Sequence, residues 1–215
     1  MNAASATLVP AAGSVDPTTE RILDAAAEQF VLFGIRRSSV DDIAHRANLG
    51  RMTVYRRFAR KEDLVEAAIM RDVRRGVAEI EASIARLGSL EERALGGFVA
   101  MLRVVRDHPL LTRLLETEPE TVLPYLTVEG GPVIAFGRAH IATQIEMAIA
   151  EGATPVMDTE ALAELLARLV HSIGLTPVGG LPLTDDSDAR EFARRCIAPL
   201  LVAAPQRPRG TARRA

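Results

Sequence analysis

Between positions 51 and 57 the chain concentrates side chains that can bind anions and hydrogen-bonding edges. Arg51, Arg56 and Arg57 carry guanidinium groups, which can donate paired hydrogen bonds to a phosphate or to the O6 and N7 atoms of guanine. Thr53 and Tyr55 add hydroxyl groups that can donate to phosphate oxygens. This chemistry is recognition of a polyanion, and it requires an element that presents these residues together.

The charge of the chain is distributed unevenly, although its total is small. The 26 Lys and Arg residues against 28 Asp and Glu residues give a net charge of -2, which alone argues against a nucleic-acid partner. Residues 36–61 contain eight basic and two acidic residues, so this segment carries +6 and the remainder carries -8. A basic segment on an acidic body indicates one module for a polyanion and another for a different partner, although charge alone would fit a solvated surface equally well.

Residue types that could support catalysis or metal binding lack the spacing that such sites need. The four histidines, His45, His108, His140 and His171, show no short metal-binding spacing. No glycine-rich phosphate loop follows a strand, and no serine lies in a nucleophile elbow. The lone Cys196 is expected to be a small packing residue. We therefore expect a protein that is not an enzyme and has no metal or cofactor.

Apolar residues recur at three- and four-residue steps along most of the chain, and no segment alternates as a strand would. The first such stripe stops at Gly34, a residue suited to the left-handed conformation that ends helices. The sequence therefore predicts an all-α fold. The predicted helices cover about 18–33, 39–48, 51–58, 61–87, 90–107, 109–116, 120–126, 132–151, 159–175 and 186–201.

The second and third predicted helices are short and closely spaced. Ser39 and Asp42 form a variant of the capping box at the start of one helix, which ends near Asn48. In the next helix Val54 and Phe58 lie four residues apart, on the side opposite the polar residues. Two short helices joined by a brief turn and braced by a preceding helix form a helix-turn-helix, which places its second helix in the major groove of DNA.

The stretch from Thr18 to Leu64 resembles the N-terminal signature of the TetR family of bacterial regulators. The matching residues are Ile22-Leu23-Asp24-Ala25-Ala26, Phe30, Phe33-Gly34, Ser39-Val40-Asp41-Asp42-Ile43-Ala44, Thr53-Val54-Tyr55-Arg56-Arg57-Phe58 and Lys61-Glu62-Asp63-Leu64. The resemblance implies a three-helix DNA-binding domain followed by a helical ligand-binding and dimerisation bundle. It further implies that Ser39, Thr53, Tyr55 and Lys61 hold DNA phosphates, that Arg51, Met52 and Arg56 meet base edges, and that Arg57 belongs to the same DNA-binding surface.

The resemblance also assigns an inducer site and a dimer interface to the C-terminal helices. Polar groups at Tyr125, His140 and His171 interrupt apolar stretches, as in a small-molecule site, although each histidine could instead be structural. The expected ligand-binding residues are Phe98, Met101, Leu102, Val105, Tyr125, Phe136, His140 and His171. Apolar stripes on the last two helices predict a four-helix dimer interface, with an intrachain core as the alternative. The expected interface residues are Leu162, Leu165, Leu169, Ile173, Phe192, Cys196 and Leu200.

These features predict four segments and a function. The segments are a disordered lead-in over 1–17, a helix-turn-helix domain over 18–64, a ligand-binding and dimerisation domain over 65–204 and a flexible basic tail over 205–215. No run of about 18 apolar residues and no basic signal at the start is present, so we expect a soluble cytoplasmic protein. The expected function is a dimeric repressor that binds a pseudo-palindromic operator and is released by a small, mostly apolar ligand. The alternative is a helical ligand-binding or adaptor protein without operator binding.

Overall fold

The computed structural model describes residues 16–202 apart from Pro177, Pro182 and Thr184. The predicted all-α fold is confirmed, because the described residues form helices and no strand. The helices are α1 (Pro17–Phe33), α2 (Val40–Arg46), α3 (Arg51–Tyr55), α4 (Lys61–Ile84), α5 (Leu90–Asp107), α6 (Pro109–Thr117), α7 (Pro119–Leu126), α8 (Gly131–Ala150), α9 (Thr159–Leu175), α10 (Asp186–Phe192), a π-helical turn (Ala193–Ile197) and α11 (Ala198–Val202).

Most helix boundaries fall within a few residues of those predicted. Helix α1 begins at Pro17, and the Asp16 carboxylate caps it by accepting a hydrogen bond from the Thr19 amide at 3.3 Å, so these two residues do not belong to a disordered lead-in. Helix α3 ends at Tyr55 instead of Phe58, and α4 ends at Ile84 instead of Leu87. The rest of the predicted lead-in and the basic tail lie outside the described residues. No helix in the described part is long and apolar enough to cross a membrane.

The chain divides into two compact units, with the boundary between Ala68 and Ile69. The predicted boundary lies four residues earlier, near the start of α4. Helix α4 begins in the first unit and continues without interruption through the boundary. Because the boundary falls inside a helix, no Gly-, Pro- or Ser-rich linker marks it in the sequence. Sequence patterns therefore locate the boundary between the two units only approximately.

The turn between α2 and α3 holds the two helices of the predicted motif in place. Asn48 adopts a left-handed backbone with φ 52°, a conformation that asparagine tolerates better than most residues. The Leu49 amide donates to the Ala44 carbonyl at 2.9 Å and the Asn48 amide to the His45 carbonyl at 3.0 Å, the two bonds of a Schellman motif. From α1, the Arg21 guanidinium donates to the Ala47 carbonyl at 2.7 Å. These bonds satisfy carbonyls that the end of α2 would otherwise leave without partners.

The core of the second unit is formed mainly by α5, α9 and α10. Phe98 of α5 packs against Phe192 of α10 with ring centroids 5.5 Å apart and an interplanar angle of 31°. Such tilted aromatic pairs are favourable because the ring edge of one approaches the face of the other. Phe192 was predicted at a dimer interface, and this prediction is wrong, because its ring is buried in the core of its own chain.

The junction between α7 and α8 depends on a glycine whose missing side chain leaves room for backbone. A Cβ atom at Gly130 would lie 2.7 Å from the Leu126 carbonyl oxygen, whereas a Cβ at Gly131 would meet nothing within 4 Å. We expect Gly130→Ala to lower the free energy of unfolding by about 1–3 kcal/mol. The new methyl group would clash with the Leu126 carbonyl, and backbone atoms move out of a clash less easily than a flexible side chain does. Gly131→Ala is the matched control and should change it by no more than about 0.5 kcal/mol. Urea unfolding measures both values, and equal stabilities would contradict this account of the junction.

Candidate nucleic-acid interface and ligand cavity

Helix α3 presents one apolar side to its own unit and a polar side to solvent. Val54 is completely buried, with 0% of its surface exposed, and fixes the rotation of this five-residue helix. Arg51 and Arg56 are exposed, Met52 is 70% exposed and Tyr55 is 43% exposed. Exposure of the Met52 side chain forgoes the stabilisation that its burial would give. An exposed methionine beside two arginines therefore indicates a surface suited to binding a partner.

The two exposed arginines of this surface are available for binding. Within the described residues, neither Arg51 nor Arg56 makes a side-chain hydrogen bond or an ion pair. An unpaired guanidinium can therefore engage a phosphate or a guanine edge without first breaking an internal bond. Arg51 and Tyr55 lie four residues apart, as do Met52 and Arg56, so each pair occupies neighbouring positions on the helix surface.

Other predicted DNA-binding residues make contacts inside the first unit. Arg57 donates to the Asp16 carboxylate at 2.6 Å and to the Thr19 hydroxyl at 3.1 Å. This guanidinium holds the pKa of Asp16 below its ordinary value of 3.8. The Lys61 ammonium donates to the Ile35 carbonyl at 2.5 Å. These contacts brace α1 and the start of α4, and a DNA contact by Arg57 or Lys61 stays a prediction.

Ser39, a predicted phosphate contact, lies at the N-terminus of α2 as its cap. Its Oγ accepts from the Asp42 amide at 3.1 Å and donates to the Asp42 carboxylate at 2.5 Å, while the Ser39 amide donates to the same carboxylate at 3.0 Å. The predicted capping box is therefore present. Half-buried Thr53 lies on α3 between exposed Met52 and Tyr55. For Ser39 and Thr53, hydrogen bonding of the side-chain hydroxyl to a DNA phosphate stays a prediction.

The second unit contains a partly open cavity of about 310 Å³ with a predominantly aliphatic wall. This volume lies at the lower end of the range for small-molecule sites. Five of the predicted ligand-binding residues contribute to the wall, namely Phe98, Met101, Val105, His140 and His171. Leu102, Tyr125 and Phe136 are not among the residues that line it, and their contact with a ligand stays a prediction. Leu102 is buried in the core, while Tyr125 and Phe136 are half-buried.

Glycines on several helices shape the cavity, and the sequence prediction missed them. Gly97 of α5 and Gly137 of α8 line it, and a Cβ at either position would meet only ordinary contacts at 3.8 Å or more. At Gly76 of α4 a Cβ would lie 2.7 Å from Val104, so this glycine permits close packing of α4 against α5. The sequence did contain a signal for this, because Gly97 and Gly137 lie in the interior of predicted helices. Glycine destabilises a helix interior, so its presence there usually has a reason in how the helices pack.

Most polar groups on the wall are engaged with a partner. The His140 Nδ1 atom lies 3.0 Å from the Glu81 carboxylate, and Arg93 pairs with Glu151 at 2.6 Å. Asp72 lies 3.0 Å from the guanidinium of buried Arg71. Arg71 itself was not predicted, because an arginine on a helical pattern gives no signal of burial.

His108 joins this polar set from the junction of α5 and α6. Its Nδ1 accepts a hydrogen bond from the Leu111 amide at 3.3 Å and so caps α6. An accepting Nδ1 leaves Nε2 to carry the ring proton, and Nε2 lies 3.6 Å from the Asp72 carboxylate. His108 therefore has a structural role at the edge of the cavity, between α4 and the start of α6.

His171 differs from the other polar groups of the wall. Its Nε2 atom is buried and is the one such side-chain nitrogen or oxygen without a hydrogen-bond partner among the described residues. Burial lowers the pKa of His171 below its ordinary value of 6.5, and a hydrogen bond to the Leu126 backbone partly opposes this effect. The ring is therefore neutral near neutral pH.

The buried histidines predict a pH dependence of stability. Burial lowers the pKa of both His171 and His140 below 6.5, because desolvation disfavours imidazolium. Below about pH 6.5 the unfolded chain binds more protons than the folded chain, so the free energy of unfolding decreases as pH falls from that value. His171→Gln, which cannot titrate, should show a smaller decrease between pH about 7.5 and about 5.5. Urea unfolding at the two pH values tests this, with His45→Gln as the control; an unchanged decrease in His171→Gln would contradict it.

The residues predicted for a dimer interface divide between exposed and half-buried positions. Leu165 is 55% exposed, Leu200 is 39% exposed and Cys196 is exposed. Three others, Leu162, Leu169 and Ile173, are half-buried against the core of their own chain. Apart from Phe192, their assignment to a dimer interface stays a prediction. Within the described ranges, no group of three or more His, Cys, Asp or Glu side chains is placed to hold a metal ion.

Comparisons with known proteins agree with this arrangement. Residues 22–68 match the family model described as bacterial regulatory proteins of the tetR family. An uncharacterised HTH-type transcriptional regulator of Mycobacterium tuberculosis strain H37Rv is 30% identical over 185 residues, 86% of each chain. The HTH-type transcriptional regulator AlkX of the same strain is 27% identical over 178 residues, 81% of each chain. These relatives are regulators, which agrees with the expectation of a non-enzymatic role.

Solved structures share the fold. The TetR-family repressor AlkX from Dietzia sp. strain DQ12-45-1b superimposes with a TM-score of 0.69 at 23% identity, covering 88% of this chain and 97% of that one. The transcriptional repressor QsdR of R. erythropolis gives a TM-score of 0.63 at 21% identity, covering 89% and 98%. Together with the sequence relatives and the helix-turn-helix geometry, these similarities show that the chain belongs to the TetR family of bacterial transcriptional regulators.

Proposed function

We propose that this regulator is a repressor, which binds a pseudo-palindromic operator as a homodimer and is released when a small, mostly apolar molecule occupies the cavity of the second unit. The observation that carries the DNA-binding half is the exposed surface of α3, where Arg51 and Arg56 have no internal partner. The observation that carries the ligand half is the aliphatic cavity of about 310 Å³. The two observations concern separate units.

In the proposed complex, α3 enters the major groove. Arg51, Met52 and Arg56 contact base edges, because arginine pairs well with guanine and the methionine side chain offers apolar contact to a thymine methyl group. Ser39, Thr53, Tyr55 and Lys61 hold phosphates. Arg57 supports the surface through its ion pair with Asp16 at 2.6 Å. Because the operator lies on the bacterial chromosome, the proposal includes a cytoplasmic location.

A homodimer would present two copies of α3 about 34 Å apart, one turn of DNA, and so read two half-sites in successive major grooves. Leu165 and Leu200 support this part of the proposal, because an exposed leucine on each of two C-terminal helices offers apolar area to a second copy. Exposed Cys196 lies on the π-helical turn near Leu200. Interfaces of this kind bury apolar helix faces across a two-fold axis.

Ligand release requires that the ligand prefer the conformation with low DNA affinity. Helix α4 supports this coupling, because it begins at Lys61 in the first unit and supplies cavity residues from Ile69 to Ile84. The aliphatic wall favours an apolar ligand. The Dietzia repressor AlkX is implicated in biodegradation of n-alkanes, which supports an apolar ligand for this chain as well.

The experiment that tests the proposal is a mobility shift with the DNA upstream of the gene that encodes the chain. A specific complex is expected in the presence of excess random duplex, and an apolar ligand should dissociate it. Failure to bind this DNA or any selected duplex at low salt would contradict the proposal and favour the alternative of a ligand-binding or adaptor protein.

Tyr55→Phe tests the phosphate contacts separately. The substitution removes one hydroxyl from a 43% exposed side chain and leaves the ring in place. We expect it to weaken binding to operator and to random duplex by similar factors, about 2- to 10-fold, because a phosphate contact carries no sequence information. Affinities measured by fluorescence anisotropy on both duplexes check this. A loss confined to the operator would assign Tyr55 to a base instead.

A further inference from the structure

Gln144 places an uncharged amide on the side of α8 that lines the cavity. Successive residues of an α-helix are rotated by about 100°, so residues seven apart lie almost in line along it. Gln144 is in line with Gly137, which also lines the cavity. Around the helix, Gln144 lies between two further wall residues, His140 and Ile145. The side chain of Gln144 therefore leaves α8 near the middle of its inward side.

The Gln144 amide has no hydrogen-bond partner within the described residues, and the side chain is half-buried. Its nitrogen and oxygen are nevertheless not closed off, because Nε2 of His171 is the one fully buried side-chain nitrogen or oxygen without a partner in this part of the chain. A primary amide offers two donor hydrogens and an acceptor oxygen. An apolar molecule that covered this amide would bury these groups without partners, which is unfavourable. Gln144 therefore favours a ligand that itself forms hydrogen bonds.

The charged groups on the wall indicate the charge of the ligand. Arg93 is the one Arg or Lys among the described residues that line the cavity, and it is paired with Glu151 at 2.6 Å. The carboxylate on the wall, that of Asp72, is paired with Arg71 at 3.0 Å. A charged ligand would have to break one of these pairs or lose its hydration without gaining a counter-ion. An uncharged ligand avoids both costs.

We propose, on the basis of the ligand-release function above, that the cavity binds an uncharged aliphatic molecule whose carboxamide-like head group forms hydrogen bonds with the Gln144 amide. Two amides can each donate to the oxygen of the other, so such a head satisfies both the donor and the acceptor of Gln144. The aliphatic body follows α8 toward Gly137, where no side chain occupies the line over about 10 Å of helix rise. Octanamide is a suitable probe, because its extended chain has a similar length.

Matched probes test the proposal in the unaltered protein. Octanoate has the same chain as octanamide and a head of almost the same shape, but it carries a negative charge. Dissociation constants follow from the dependence of the melting temperature on probe concentration. We expect octanamide to bind at least about tenfold more tightly than octanoate, because the wall offers hydrogen bonds from Gln144 but no unpaired cation. Equal or tighter binding of octanoate would overturn the proposal.

The variant Gln144→Leu assigns the effect to the residue, with octane as a probe that has no head group. The substitution keeps a side chain of similar size and removes its hydrogen bonds. We expect the affinity for octanamide to fall by at least about tenfold and the affinity for octane to stay within about twofold or to rise. An unchanged affinity for octanamide, or an equal loss for both probes, would overturn the assignment to Gln144.

Thr143→Val is the matched control on the same helix. Thr143 is the neighbouring polar residue, but it is exposed, does not line the cavity and donates to the Ala139 carbonyl at 3.0 Å. This variant should bind both probes within about twofold of the parent. A loss of octanamide affinity in Thr143→Val as large as that in Gln144→Leu would contradict the assignment. The comparison of octanamide with octanoate stands even if a variant does not fold.

Operator release is measured separately by mobility shift, so the two proposals can fail independently. Preferential binding of octanamide without dissociation of the operator complex would support the ligand assignment and contradict the proposed release. Dissociation of the parent and Gln144→Leu operator complexes by octanamide at equal concentrations would support release and overturn the assignment to Gln144.

Discussion

Arg56→Ala is expected to weaken operator binding by about 5- to 150-fold and to relax specificity at one base pair of each half-site. Arg56 is exposed at the C-terminal end of α3 and has no internal partner among the described residues, so its removal should leave the folded unit intact and delete the proposed contact to the DNA. The expected range corresponds to about 1–3 kcal/mol for a bidentate arginine contact with guanine. The affinity for random duplex should change much less, because that affinity comes mainly from phosphate contacts.

Fluorescence anisotropy with the operator, with single base-pair variants of it and with random duplex measures this effect. Arg74→Ala is the matched control, because Arg74 is an exposed arginine of α4 in the second unit, and its removal changes the net charge equally. This control should alter binding to both duplexes slightly and to the same extent. Equal losses on operator and random duplex for Arg56→Ala would contradict its assignment to a base.

Gly97→Leu is expected to produce a repressor that no longer responds to ligand. Gly97 lines the cavity, and a Cβ there would lie 3.9 Å from the Ile84 side chain, so a larger side chain can be accommodated by filling the cavity. We expect ligand affinity to fall by about 5- to 150-fold, the factor that corresponds to the usual cost of overpacking. Operator affinity without ligand should be unchanged, because Gly97 lies in the second unit.

A titration of the operator complex with an apolar probe such as dodecanol, followed by mobility shift, measures the loss of response. Gly131→Leu provides the control, because Gly131 is exposed, has nothing within 4 Å of a Cβ and does not line the cavity. This variant should respond as the parent does. Dissociation of the Gly97→Leu complex at the probe concentration that dissociates the parent complex would mean that the ligand acts from another site.

The sequence predicts the first unit well because local rules determine its structure. The Ser39 capping box, the left-handed Asn48 and the apolar Val54 each follow from the chemistry of one or two residues. The long-range pairs were missed. The bond between Arg57 and Asp16 joins residues 41 positions apart, and no periodicity connects them. It adds a bracing role for Arg57 that the sequence did not suggest, while its contact with DNA stays a prediction.

In the second unit, periodicity identified the apolar faces but could not distinguish packed atoms from cavity wall. Phe98 and Leu102 share one face of α5, yet Phe98 lines the cavity and Leu102 is packed in the core. The difference depends on where neighbouring helices fail to fill space, which is a tertiary property. The same reason explains Phe192, whose stripe could equally meet a second copy or its own chain.

The π-helical turn over Ala193–Ile197 was also not predicted, because an additional residue in a helical turn leaves almost no trace in composition. This turn changes the phase of the last helix. Within the turn, Cys196 is exposed and Ile197 is buried. Sequence spacing counted from Phe192 with 3.6 residues per turn therefore loses accuracy beyond the turn.

Selection of bound sequences from a pool of random duplexes tests the central claim most directly. The proposed homodimer predicts that the enriched sequences share an inverted repeat whose half-sites are centred about one DNA turn, about 34 Å, apart, because its two copies of α3 would read successive major grooves. A pool that stays random after repeated selection at low salt would contradict the claim that this chain is a sequence-specific repressor.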